Sequence, residues 1–371
     1  MNILLLCDDY PSAFAGGTAT ATLNLARGLA LLGHEVVLVW GEDPGHFPMQ
    51  GVKQIQVKTK KRQIGNDHVL ISSIPFGDVL GAWKPEIVHA QQPTPLALWG
   101  KWVAHTKKAK FIITLHNLLE NVSLRHYRQI AKGAYRLAFA LADGVVTPSE
   151  FANRYVKERF KPKCPVKTVS NSIDPEVFCA HLSLPLQSTP KAGIQVCAAI
   201  SLVPYKNPEM LIRLWAKLGQ LGVRAQLKIA GEGALRAPLS ALAVSLGVAE
   251  QIEFLGALEH KDLANLMHQS DALLLSSRAD NQPMVILEAK SVGTPSIVSV
   301  SPTSGAADLI EHGKTGLLFP IDELEAAAQI IAPYLLEPER LRAMRPTVLA
   351  DAQRYTLQTV ACSMTEFYRS L

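Results

Sequence analysis

Long apolar runs are missing from this chain of 371 residues. No stretch of 18 or more uncharged apolar residues occurs, so no membrane-spanning helix is predicted. The N-terminus, MNILLLCDDY, has no basic leader and meets Asp8 and Asp9 within a few residues, so it reads as a first strand and not as a signal peptide. Cysteine is sparse: Cys7, Cys164, Cys179, Cys197 and Cys362 are scattered, odd in number and without a C-x-x-C pair. That usage points to the reducing cytoplasm and away from a disulfide framework or a zinc site. Several catalytic signatures are missing too, with no H-E-x-x-H, no G-x-S-x-G and no D-x-D. In AGEGALR the third glycine of a dinucleotide fingerprint is replaced by Arg236, and HGKT lacks its P-loop glycine, whose place is taken by Asp308. No short repeat or low-complexity tract is present.

Hydrophobic residues make up 48% of the chain, enough for two substantial cores. The first half offers predicted strands at NILLLC, EVVLVW, EIVHA, FIITL, GVVTP and VKTVS, and the second at IQVCAAI, AQLKIA, IEFLG, ALLLSS and SIVSV, with helical patterns between them. Two such runs predict two doubly wound parallel sheets. Between them, PEVFCAHLSLPLQSTPKAG is proline-rich and aperiodic and reads as a linker.

The net charge of +5 is uneven. Residues 1–178 hold 21 Lys and Arg against 14 Asp and Glu, and the remainder holds 16 against 18. Basic clusters fall at Lys58, Lys60, Lys61 and Arg62, at Lys101, Lys107, Lys108 and Lys110, and at Arg125, Arg128, Lys132 and Arg136. The last set alternates with Leu124, Tyr127, Ile130, Ala134, Leu137 and Phe139 at helical spacing. A basic amphipathic helix of this kind fits an anionic membrane or acceptor, and equally a solvated face over a core. No aromatic-rich basic platform accompanies the charge, so nucleic acid is not expected as a partner.

The most informative stretch is SSRADNQPMVILEAKSVGTP, in which Asp280 and Glu288 stand eight positions apart. A buried strand, a polar loop and a helix follow one another here, with Asn281 as the expected N-cap, Pro283 in the first turn and Gly293 at the end. Loops between strand ends and helix N-termini are where open α/β sheets bind ligands, and carboxylates there accept hydrogen bonds from hydroxyls. Without a ligand the same two acids are a solvated loop residue and an exposed helix residue.

This stretch resembles the acidic E-x7-E signature of retaining glycosyltransferases of the GT-B architecture, glycosyltransferase family 4, also called glycosyl transferases group 1. Asp280 stands where the family usually has Glu, and Glu288 matches. Other similarities run along nearly the whole chain. Gly16 and Gly17 in AFAGGTAT resemble the family's opening glycine pair, and His116 in FIITLHN matches a strand-end His that contacts the donor sugar. His89 matches a further strand-end His, but its usual partner two residues on is Gln91, so His89 reads as structural. Asn171 and Asp174 match an N-G-x-D turn, with Ser172 replacing glycine. Lys206 matches the lysine of R-L-x-x-x-K, whose basic residues hold the donor diphosphate, and Gly231 and Gly233 match a G-x-G turn near the nucleotide. Ser304 and Gly305 match a helix N-terminus, with Asp308 where Glu is usual.

The largest departure is Ser201, which occupies the arginine position. A hydroxyl cannot replace a bidentate, permanently charged guanidinium. Either another cation such as Arg278 or Lys290 compensates, or the donor differs in its phosphates, or activity is weakened or lost.

The resemblance implies a GT-B fold of two Rossmann-like doubly wound domains facing a central cleft. Residues 1–178 would bind the acceptor, residues 179–350 the donor, and residues 351–371 would form a helix crossing back to the first domain. It further implies retaining transfer from a nucleotide sugar, a UDP- or GDP-sugar, to a hydroxyl of a saccharide or lipid-linked acceptor in polysaccharide or glycolipid synthesis. The absence of D-x-D agrees with a metal-independent reaction and no cofactor. His116, Asp280 and Glu288 are the expected catalytic residues. Donor binding falls to Gly16, Gly17, Ser201, Lys206, Gly231, Gly233, Asn281, Gln282, Pro283, Met284, Glu288, Ser304 and Gly305. Arg125, Arg128, Lys132 and Arg136 are the expected contacts to the cytoplasmic membrane face. A degenerate binding subunit and a nucleotide-sugar epimerase are the competing readings.

Overall fold

The computed structural model describes residues 1–8, 17–40, 50–56, 59–64, 67–72, 80–119, 125–180, 182 and 193–371. Gly16, Lys58 and Leu124, and most of the expected linker, lie outside the described residues. The chain divides into two compact units, Met1–Ser172 with Tyr355–Leu371, and Ile173–Arg354.

The first unit begins with β1 (Asn2–Cys7), α1 (Gly17–Leu31), β2 (Glu35–Trp40) and β3 (Val52–Gln56). A hairpin of β4 (Thr59–Ile64) and β5 (Asp67–Ser72) follows, then β6 (Ile87–Ala90), α2 (Pro95–Lys107), β7 (Lys110–Thr114), α3 (Arg125–Leu141), β8 (Gly144–Thr147), α4 (Glu150–Arg159) and β9 (Val166–Thr168). Seven parallel strands form one sheet in the order β3-β2-β1-β6-β7-β8-β9. The apolar runs NILLLC and EVVLVW are buried on both faces, as expected of central parallel strands covered by helices. Ser149 starts α4 by accepting a hydrogen bond from the Ala152 amide at 3.1 Å.

The second unit holds α5 (Pro175–Phe178), β10 (Ile194–Ala199), α6 (Pro208–Gln220), β11 (Ala225–Ala230), α7 (Arg236–Ser245), β12 (Ile252–Gly256), α8 (His260–His268) and β13 (Ala272–Leu275). It continues with β14 (Ala279–Asp280), α9 (Met284–Ser291), β15 (Ser296–Val300), β16 (Thr303–Ser304), β17 (Gly316–Pro320), α10 (Leu324–Leu336), α11 (Glu339–Arg342) and α12 (Arg345–Ala352). Its parallel sheet has the order β12-β11-β10-β13-β15-β17. The strand order reverses beside β10, whose neighbours are β11 and β13, and such a reversal opens a crevice at the strands' carboxyl ends.

The last helix, α13 (Leu357–Arg369), belongs to the first unit and packs on α1. Thr356 caps it, and Val360, Ala361, Met364, Phe367 and Tyr368 join the core that β1, β2 and α1 build. Gly28 permits the close crossing, because a Cβ there would lie 2.7 Å from the Leu357 carbonyl oxygen. α2 and α3 cover the other face of the sheet through Trp99, Val103, Tyr135 and Phe139. No described helix is long and apolar enough to cross a membrane.

Candidate functional site

The loop after β10 carries Ser201 and Lys206 and is held by the turn after β11. Ile200 donates to the Ala230 carbonyl at 3.0 Å, Leu202 donates to Glu232 at 2.9 Å, and Leu235 donates back to Leu202 at 3.1 Å. That intimacy requires glycine. Gly231 has φ 134 and Gly233 has φ 158, and a Cβ at either would lie 1.8 Å from the Ile200 oxygen or 2.4 Å from the Leu202 oxygen. The two glycines shape the loop that presents Ser201 and Lys206.

Lys206 ends a short 3-10 turn, and Asn207 follows in the left-handed region at φ 52 before Pro208 opens α6. Ser276, just past β13, donates to the Asn207 carbonyl at 2.8 Å and ties the two neighbouring strand ends together. β13 then leads to Asp280, whose carboxylate accepts a hydrogen bond from the Lys206 ammonium. Both side chains are mostly shielded from water. Burial works against the charge on Lys206, but the adjacent Asp280 carboxylate outweighs it and holds the ammonium above its ordinary range. Two residues 74 positions apart are thus paired at the strand-order reversal.

Short strands β14 and β16 pair in parallel, with Asp280 opposite Ser304, and the Gly305 amide donates to the Asp280 carbonyl at 2.8 Å. The sequence placed Ser304 and Gly305 at a helix N-terminus. In the structure only a four-residue 3-10 turn, Ala306–Leu309, follows, and Gly305 commits its amide to Asp280. These two residues hold Asp280's backbone.

The helix start also differs from expectation. Pro283, not Asn281, takes the N-cap position of α9, with φ −68 and ψ 119. A proline that lacks an amide and disfavours helix in the residue before it stops the helix from reaching back to Asn281. Asn281, Gln282, Pro283 and Met284 are all buried around this start. Gly293, at φ 75, follows the helix as anticipated.

Glu288 is 6% exposed on α9, a helix buried on nearly every side. Its carboxyl has no hydrogen-bond partner among the described residues, and burial pushes its pKa up to about 7. A carboxylic group held in this state is poised to accept hydrogen bonds from an incoming ligand.

Neither cation considered as a substitute for arginine at Ser201 is idle. Lys290 is 1% exposed and pairs with Asp351 of α12. Arg278 grips Asp322 through two bonds of 2.6 Å. Ser201 itself is exposed.

In the first unit, Gly17 is the first residue of α1. His116, just beyond β7, sets Nε2 3.0 Å from the Gln91 side-chain oxygen. Burial pushes His116 down to about 4, so the ring is neutral at physiological pH. With Gln91, Thr114, Ser170, Asn171 and Ser172, it lines a cavity of about 20 Å³, room for one water-sized group. His89 is fully enclosed, with Tyr368 and Thr114 hydroxyls each 2.7 Å from its ring nitrogens, and burial pushes it down to about 3. It ties β6, β7 and α13 together.

Sequence reasoning missed Gln91 as the partner of His116, Asp322 as the partner of Arg278, and Ser276 as the tie between strand ends. Each is joined to its partner through the fold and carries no local pattern.

The family model described as Glycosyl transferases group 1 matches residues 188–348, and that described as Glycosyltransferase Family 4 matches residues 15–177. A glycogen synthase from Mycobacterium tuberculosis is 26% identical over 414 aligned positions, covering 99% of this chain and 94% of the relative. A GDP-mannose-dependent alpha-(1-6)-phosphatidylinositol monomannoside mannosyltransferase from Mycolicibacterium smegmatis is 26% identical over 282 positions, covering 72% of this chain and 71% of the relative. Among solved structures, HepE of Anabaena in complex with UDP superimposes with a TM-score of 0.74 at 19% identity, covering all of both chains. With both halves matched and two parallel α/β sheets in hand, the chain belongs to the GT-B glycosyltransferases of family 4, glycosyl transferases group 1.

Proposed function

We propose that this glycosyltransferase is a retaining, metal-independent enzyme that moves a sugar from a UDP- or GDP-linked donor to a hydroxyl of a saccharide or lipid-linked acceptor, in cell-surface polysaccharide or glycolipid synthesis. The observation that carries the reading is Glu288, a buried carboxyl without a hydrogen-bond partner among the described residues, on the helix that follows Asp280. Two relatives support the donor class, because HepE is described with UDP and the mannosyltransferase as GDP-mannose-dependent.

In this reading Glu288 accepts hydrogen bonds from the donor's ribose hydroxyls. Asp280 exchanges Lys206 for hydroxyls of the sugar, and Lys206 turns to the diphosphate. As the anomeric carbon–oxygen bond breaks, its electron pair goes to the departing diphosphate, where the Lys206 ammonium stabilises the growing negative charge. The acceptor hydroxyl attacks the anomeric carbon from the same face and passes its proton to an oxygen of the departing diphosphate, so configuration is retained. Asn281, Gln282, Pro283 and Met284 shape the pocket, Gly231 and Gly233 hold the loop that carries Ser201, and Ser304 and Gly305 fix Asp280. Gly17 opens a helix N-terminus suited to anionic oxygens, and Gly16 is assigned with it. His116 is assigned as the catalytic neutral imidazole of the first unit.

A thermal-shift panel of UDP, GDP, ADP and their sugar conjugates, with Glu288→Ala beside the wild type, tests the reading. Ligand at about 100 times its Kd stabilises a fold by roughly 2.7 kcal/mol. A shift with one nucleotide that vanishes in the variant, together with loss of transfer, is expected. Full transfer by Glu288→Ala would remove the site assignment. Ser201→Arg is expected to tighten nucleoside diphosphate binding, and unchanged affinity would mean that the loop does not face the diphosphate. The exposed Ser201, with Arg278 and Lys290 both engaged, favours a second reading as a nucleotide-free binding subunit. That reading predicts no shift with any nucleotide.

A further inference from the structure

The apolar residues of α3 do not all face the core. Tyr135, Ala138 and Phe139 point inward, whereas Ile130 is 65% exposed and Leu137 51% exposed, with Ala134 exposed between them. The spacing of 130, 134 and 137 forms a stripe along the solvent side of the helix. The adjacent helix α2 does the same with Leu98, 44% exposed, and Trp102, 55% exposed, four residues apart. Along both stretches the sequence carries charge of one sign. Residues 95–110 carry Lys101, Lys107, Lys108 and Lys110, residues 125–141 carry Arg125, Arg128, Lys132 and Arg136, and neither stretch contains an Asp or Glu. Arg136 is exposed, Arg128 and Lys132 are half-buried, and the side chain of Arg125 lies outside the described residues. Asp143, just past α3, lies 4.0 Å from Lys101.

We propose that the outer face of α2 and α3 docks on an anionic lipid bilayer, with Trp102, Leu98, Ile130 and Leu137 entering the headgroup boundary and the lysines and arginines pairing with lipid phosphates. Two features select this occupant. A second copy, meeting face to face in a two-fold dimer, would set the same basic surface against itself. A soluble polyanion would engage the cations but gives no reason for large apolar side chains to stand in water. A bilayer with acidic lipids satisfies both at once, through burial of apolar area and attraction to the negative surface. The inference does not depend on which sugar is transferred.

The test is flotation of the full chain with vesicles of phosphatidylcholine alone and of phosphatidylcholine mixed with phosphatidylglycerol, at low and moderate salt. The wild type is expected to float with the mixed vesicles only. Ile130→Ser/Leu137→Ser is expected to lose at least about tenfold in affinity while melting as the wild type does. Lys132→Gln/Arg136→Gln is expected to lose a similar factor at low salt, with a smaller difference at moderate salt where charge is screened. No flotation with acidic vesicles, or flotation of both variants equal to that of the wild type, overturns the proposal. So does a concentration-dependent dimer of the wild type that dissolves in Ile130→Ser/Leu137→Ser, because the face would then be a self-interface. Nucleotide binding is measured on the same samples, so a failed donor site and a failed membrane face are told apart.

Discussion

Glu288 carries the sharpest physical signal of any single residue. An unfolded glutamate releases its proton near the ordinary value of 4.5, whereas the buried carboxyl keeps it up to about 7. Between those values the native state binds the extra proton, so this residue's contribution to stability is greatest below about 4.5, falls as pH rises to about 7, and is flat beyond. Glu288→Gln cannot ionise and is expected to lose that slope, so its melting temperature gains on the wild type as pH rises through this window. Ribose hydroxyls donate to the ionised form, so affinity for the proposed donor should rise with pH through about 7 in the wild type and stay flat in the variant. Equal slopes in both would exclude Glu288 as the titrating group. The eight-residue spacing of Asp280 and Glu288 was legible in the sequence. The burial that makes Glu288 distinctive was not, because it is conferred by the strands and helices packed around α9.

Loops and turns, at the scale of elements, explain why glycines matter here. Gly231 and Gly233 matched a family turn expected near a nucleotide, and the structure shows what they do locally, admitting the backbone of residues 200–202. Gly231→Ala would drive a methyl to 1.8 Å from a carbonyl oxygen at a φ that side chains rarely adopt. Its expected cost is at least about 2 kcal/mol, read as a lowered urea midpoint of the second unit, with weaker nucleotide binding because the loop bearing Lys206 shifts. An unchanged midpoint would contradict the close approach. Other elements escaped the sequence for physical reasons. β3, VKQIQ, is a polar edge strand; β17, GLLFP, ends in proline; and β14 and β16 are two residues each, too short for any period to show.

At the scale of the whole molecule, the last helix completes the first unit. Val360, Met364, Phe367 and Tyr368 are each less than 10% exposed, and burial of a large apolar side chain stabilises a fold by roughly 1.5–3 kcal/mol. Four such side chains together rival the net stability of a domain. A chain ended at Thr356 is expected to lose hydrogen-exchange protection across β1, β2 and α1, while β10, β11 and β13 stay protected. Retained protection in the first unit would show that α13 is dispensable.

The sequence by itself determined the alternation of strand and helix in both halves, because buried parallel strands must be apolar throughout and their helices amphipathic. It also determined the glycine after α9, since a helix end depends on neighbours along the chain. Tertiary structure alone decided that Lys206 meets Asp280, that Arg278 and Lys290 are occupied elsewhere, and that Ile130 and Leu137 face water. Local pattern fixes which residues share a face. Strand order fixes which faces and loop ends meet, and the reversal beside β10 brings together residues that the chain keeps far apart.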